Sequence, residues 1–245
     1  MQDLGRNERA GIDVAAVLEE LMAVHPKIQS LVVYEQETPP LIDGRATLSS
    51  EEQEVVRRGL RLGGEIGLPF WDSVLLSCFS QAVPVRGLLA AASYHNPTRR
   101  TTTELKRAAV NEKEIRRVAR SASTNKIMMV SSLVACSGHM RRHIPMLDFR
   151  CPESKENLGL VKAVVSGMGM GGFLLRSGHS YHFYGDFLLE KSRLVHFLAR
   201  ALQYSPIVDR AWIAHQLLEG ACALRISPKE HGGDMPSVVA RVKAI

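Results

Sequence analysis

HIPMLDFR at residues 143–150, GGFLLRSGHSYHFYG at 171–185 and ACALRIS at 221–227 are four short apolar-rich runs, the middle quotation holding two of them. Helical spacing fills the gaps between the first and second and between the third and fourth. The order strand–helix–strand–strand–helix–strand predicts an α+β protein with a ferredoxin-like βαββαβ core, in which helices cover one face of a four-stranded antiparallel sheet. Alternation of period two assigns the faces. Leu147 and Phe149 oppose Asp148 and Arg150; Tyr181 and Phe183 oppose Ser180, His182 and Tyr184; Leu224 and Ile226 oppose Arg225 and Ser227. In such a core the first and third strands are neighbours and the fourth flanks the first. The expectation is that Asp148, His182 and Arg225 converge on one polar, open sheet face.

These residues resemble the catalytic core of the archaeo-eukaryotic primase (prim-pol) superfamily over about residues 126–228. That family carries an hhDhD carboxylate pair on its first core strand, an SG…sxH element on a hairpin and a further hydrophobic-Asp on its last strand. Asp148 stands at the first carboxylate position, Ser177-Gly178 and Ser180-Tyr181-His182 match the hairpin element, and the core is RRM-like in the same sense. Two positions depart from the pattern. Arg150 replaces the second carboxylate, and the last strand reads Leu224-Arg225-Ile226-Ser227 with no Asp. Asp186 and Glu219 are nearby in sequence but have no place in the pattern.

The resemblance implies Asp148 and His182 as catalytic residues, Asp148 as a ligand of Mg²⁺ or Mn²⁺, and a nucleotide held by Ser177, Gly178, Ser180 and His182. Two-ion nucleotidyl transfer needs several carboxylates. Arg150 and Arg225 instead favour a phosphate, since guanidinium chelates its oxygens with two donors. The reading is therefore a primase-polymerase-like protein that binds nucleotide or single-stranded nucleic acid and is degenerate as a polymerase. An interaction subunit of a larger replication- or defence-related assembly, with a protein partner, and an active nucleotidyltransferase are the alternatives.

The formal charge is +6 over 245 residues, with pI near 9.3. Residues 99–120 hold eight Lys/Arg against three Glu, a net of +5. Thr101 and Glu104 have capping-box spacing, and Leu105, Ala108, Ile115 and Ala119 recur on one stripe, which predicts an amphipathic helix with a basic outer face. Lys106, Arg107, Lys113, Arg116, Arg117 and Arg120 on that face would contact a nucleic-acid backbone.

No run of about 18 apolar residues exists to span a membrane. The polar start MQDLGRNERAG carries no secretory signal, and four cysteines without paired spacing suit reduced thiols in a cytoplasm. Cys136-x2-His139-x3-His143-x7-Cys151 has zinc-type ligands. Cys136 and Cys151, however, lie in or beside core strands, where Cys is a small apolar filler, so zinc is not expected. Outside the core the pattern predicts a helix at 11–24, a strand at 28–34, helices from Ser50 and around Trp71, a strand at 85–94 and a final strand or helix at the C-terminus. Residues 1–125 thus form a helix-rich α/β half, and 126–245 the primase-like core, in one compact unit.

Overall fold

The computed structural model describes residues 12–37, 49–66, 68, 70–79, 100–123, 126–228 and 233–244. The predicted strand at 85–94 lies outside them. Two units emerge: residues 1–37 with 99–245, and residues 38–98 inserted between them. The division therefore does not fall at 125/126, because strands from both sides of that point pair with one another.

In the larger unit, α1 (Val14–Val24) starts where the Asp13 carboxylate accepts the Ala15 and Ala16 amides, and it buries Val14, Val17, Leu18 and Leu21 on one stripe. It leads into β1 (Ile28–Glu37). The inserted unit contains α2 (Ser50–Ile66) and α3 (Phe70–Phe79). The cap of α2 is a reciprocal Ser49–Glu52 box, one residue before the predicted Ser50–Gln53, and the helix runs through Gly63 and Gly64.

The predicted basic helix at 99–120 is corrected. Residues Arg100–Lys106 form β2, a 3₁₀ turn occupies 107–109, and only Glu112–Ala119 is helical (α4), capped by the Asn111 side chain. Thr101-Thr102-Thr103 supplies the reason. Three β-branched residues in a row are poor in a helix and good opposite Val33 and Tyr34 of β1.

The remaining elements are β3 (Lys126–Cys136), β4 (Met140–His143), β5 (Met146–Asp148), α5 (Lys155–Gly167), β6 (Gly172–Arg176), β7 (Tyr181–Gly185), α6 (Lys191–Leu202), α7 (Arg210–Glu219), β8 (Ala223–Arg225) and β9 (Ser237–Val242). The class is α+β, with two antiparallel sheets. One runs β2-β1-β3, and β4 and β8 share the far edge of β3, at Leu133–Cys136 and Met129–Ser131 respectively. The other runs β5-β7-β6-β9.

The βαββαβ chain order is present, and β5 and β7 are neighbours as expected. The fourth strand is not where the pattern put it. β8 joins β3, and its approach is fixed by the Ser132 amide donating to Cys222 O at 2.8 Å. The flank of β5 is filled instead by residues 207–209: Arg150 N donates to Ile207 O and Asp209 N donates to Asp148 O. Nor is the polar side of β7 an open face. His182 and Tyr184 are as deeply buried as Tyr181 and Phe183, at 5% exposure or less. Phe183, Leu174, Val161, Val165, Leu194, Phe197 and Leu198 belong to the core, each worth about 1.5–3 kcal/mol of burial.

Candidate functional site

Asp148 ends β5 directly opposite His182 of β7, so strand register alone brings the two together. Opposite residues of an antiparallel pair share a face. The His182 Nε2 lies 3.6 Å from Asp148 Oδ1, too long for a hydrogen bond, and the carboxylate keeps 29% exposure while the imidazole keeps 7%. Burial holds the His182 ring neutral, down to about 3, and the Arg225 charge pushes the same way. Burial raises Asp148 to about 8; the Asp209 carboxylate adds to the rise and Arg225 opposes it. At neutral pH this pair is an acid and an imidazole, both uncharged.

Asp209 is the residue that sequence reasoning missed. It caps α7 by accepting the Trp212 amide through Oδ1 at 2.9 Å, and its own amide is pinned to the Asp148 carbonyl. The bridge between Phe149 and Val208 carries it to the flank of β5. The signal was there as Ile207-Val208-Asp209, two apolar residues and an acid, but three residues show no periodicity.

Arg225 does come near Asp148 and His182, although from the other sheet. Its guanidinium donates to Ser227 O and across to Ser177 O at the start of the β6–β7 turn. It is largely buried, which lowers its basicity, and it favours ionised Tyr184 and Asp148. Two polar atoms in this layer, His182 Nδ1 and the Tyr184 hydroxyl, are buried without a hydrogen-bond partner.

The turn Ser177–Ser180 closes through the Ser177 amide and hydroxyl, both donating to Ser180 O. Gly178 at φ 109° is in the region that favours glycine. The Ser180 hydroxyl donates to Phe149 O at 2.5 Å, and the His179 carbonyl accepts the Glu153 amide. Between this turn, the end of β5 and the start of α7 lies a cleft of about 650 Å³, lined by Arg150, Glu153, Gly178, His179, Ser180 and Asp209 among others. Glu153 is paired with Arg176 at 3.3 Å.

The basic residues of the predicted helix fare differently. Arg107 donates to the carbonyls of Met22, His25 and Ile28, closing the end of α1. Arg116 is paired with Asp13 and Glu112, Arg117 with Glu114 and Lys106 with Glu104. Lys113 on α4 and Arg120 immediately after it are exposed.

The zinc-type residues are dispersed: Cys136 is buried on β3, His139 is in the exposed β3–β4 turn, His143 contacts the Ser132 hydroxyl, and Cys151 follows β5. Among the described residues no three of His, Cys, Asp or Glu gather as a metal shell. Asp186 and Glu219 do not join Asp148; Glu219 is bound bidentately by Arg100. Two carboxylates and a buried, neutral imidazole, with a guanidinium beside them, do not fit a two-ion centre.

The sequence model of a family described as AEP-like, archaeo-eukaryotic primase 1D-like, matches residues 106–234, just over half of the chain. No curated protein and no solved structure gives a significant match.

Proposed function

The chain belongs to the archaeo-eukaryotic primase-like family, and from that premise we propose that it binds a nucleotide in the cleft beside Asp148 and is degenerate as a polymerase. The observation that carries this reading is Arg225. Its half-buried guanidinium stands beside Asp148 and His182, bonded to two backbone carbonyls, where a polymerase would need acids and cations. It braces the Ser177–Ser180 turn, and Arg150 is the arginine that lines the cleft.

A guanidinium donates two parallel bonds to a phosphate group, so Arg150 suits the phosphates of the nucleotide. The turn at Gly178 lets them approach the backbone closely. Asp148, protonated near neutrality, adds no second negative charge behind Asp209. Glu153, which also lines the cleft, has a carboxylate that can accept from a sugar hydroxyl. Asp209 beside Asp148 supports a second reading, an active nucleotidyltransferase, in which one Mn²⁺ or Mg²⁺ is shared by these two carboxylates.

Titration calorimetry with a nucleoside triphosphate, with and without EDTA, separates the two. Nucleotide binding that survives the chelator and weakens about tenfold in Arg150→Ala is expected. Binding lost with EDTA, together with Mn²⁺-dependent primer extension abolished in Asp209→Ala, would establish the second reading and sink the first.

A further inference from the structure

We infer that the outer edge of β2 pairs with the same strand of a second copy of this chain, antiparallel and with a two-fold axis at Thr102. No residue of β2 lines the cleft beside Asp148, so the inference does not depend on what fills it.

Sequence and pairing make β2 an unprotected edge. Its seven residues stand in unbroken register against Ser30–Gln36 of β1, without the irregularities that interrupt the β1–β3 pair. Among the described residues no strand pairs with its other side, so alternate backbone N–H and C=O groups face outward there. Thr101, Thr102, Thr103 and Glu104 are all exposed, although successive side chains point to opposite faces. The chain therefore overhangs neither face of this edge. Edge strands are ordinarily blunted by shortness, proline, a bulge, a cover or outward charges. β2 has no proline and no bulge, and its charged residues are engaged on their own side, Lys106 with Glu104 at 2.7 Å and Arg100 with Glu219. Three β-branched residues in a row keep it extended.

The order of the side chains selects the partner. Arg100-Thr101-Thr102-Thr103-Glu104 is its own antiparallel complement. With Thr102 on the axis, Arg100 of each copy stands opposite Glu104 of the other, and Thr101 stands opposite Thr103. Threonine pairs and opposite charges are both favourable across strands. The neighbouring registers are worse. An axis at Thr103 sets Arg100 against Lys106, two cations, and an axis at Glu104 sets that carboxylate against itself. Both charges are also held in place. Lys106 and the Ser30 hydroxyl bind the Glu104 carboxylate and hold it below the usual carboxylate range. Arg100 is fixed by Gln36 and Glu219 through three of its five N–H groups.

One strand pair buries less than the roughly 1,600 Å² of a standard interface, so the association is weak, with a dissociation constant of about 10–100 µM expected. The test is sedimentation velocity of the full chain over a concentration series across that range. The parent should show a monomer–dimer equilibrium. Residue 102 meets itself on the axis, so Thr102→Lys and Thr102→Glu should each weaken self-association at least about tenfold. An equimolar mixture of the two variants should associate at least as tightly as the parent. Thr102 is exposed, so the melting temperature of each variant should match the parent's. Leu218→Ser, which removes the most exposed large apolar side chain among the described residues, should leave the equilibrium unchanged. Any of four results overturns the inference: a parent that stays monomeric throughout, a Thr102→Lys variant that associates like the parent, a mixture no tighter than either variant alone, or a dimer lost with Leu218→Ser.

Discussion

Asp148 is an acid placed where ionisation is unfavourable, and that has a measurable sign. Its folded value, about 8, lies above the ordinary 3.8, so folding takes up a proton between those limits. The stability this group contributes is complete below about pH 4 and is lost as pH rises through 8. Asp148→Asn removes the ionisation while keeping the shape. Urea unfolding should therefore show the variant gaining on the parent steadily from pH 5 to pH 8.5, and a difference flat in pH would contradict the assignment. The pairing of Asp148 with His182 was legible because alternation puts both on one face and the chain order makes β5 and β7 neighbours. The presence of Arg225 near them was legible too, but not its route, since β8 arrives from the other sheet. Asp209 could not be read, because a three-residue bridge has no period to detect.

At the scale of elements, the order of the core strands and the helical stripe at 14–24 were legible, whereas alternation misassigned the polar side of β7, a strand buried on both faces. The misreading at 99–120 arose where two signals competed. A capping box and an apolar stripe suggested one helix, and the Thr101–Thr103 run, once pairing with β1 was available, took precedence. The charge count was right and its consequence was not, since Arg107 is directed inward. Its guanidinium satisfies the Met22 and His25 carbonyls at the end of α1 and the Ile28 carbonyl at the start of β1. Arg107→Ala should cost about 2–3 kcal/mol, the range for hydrogen bonds to a charged group. Arg107→Lys should recover only part of it, because an ammonium lacks the fork that spans three acceptors. Denaturant midpoints, with amide exchange read at residues 22–28, check this; a loss below about 0.5 kcal/mol would mean the bonds are exchanged for water at no cost.

The whole molecule raises a question that neither residues nor elements answer: whether the larger unit needs residues 38–98. The chain leaves it after Glu37 and returns at Arg100, and Gln36 lies directly opposite Arg100 in the β1–β2 pair. Exit and re-entry are thus the two arms of one hairpin, as an insertion at a hairpin tip requires. The junction has its own clamp. Arg100 donates to Gln36 Oε1, binds Glu219 of α7 through both terminal nitrogens and stacks 4.7 Å from the centre of the Tyr34 ring. β1 is also paired along its other edge with β3, independently of the insertion. Replacing residues 38–98 by an Asn-Gly turn, which matches the twist of a two-residue hairpin, should therefore leave the larger unit folded. Shortening the connection also lowers the entropy of closing it, by about 0.6 kcal/mol for each halving. The expected result is a single cooperative melting transition and undiminished amide protection in β1 and β3. If the insertion were part of the core, the shortened chain would lose that cooperativity and the β1 amides would exchange at the rate of an unfolded chain.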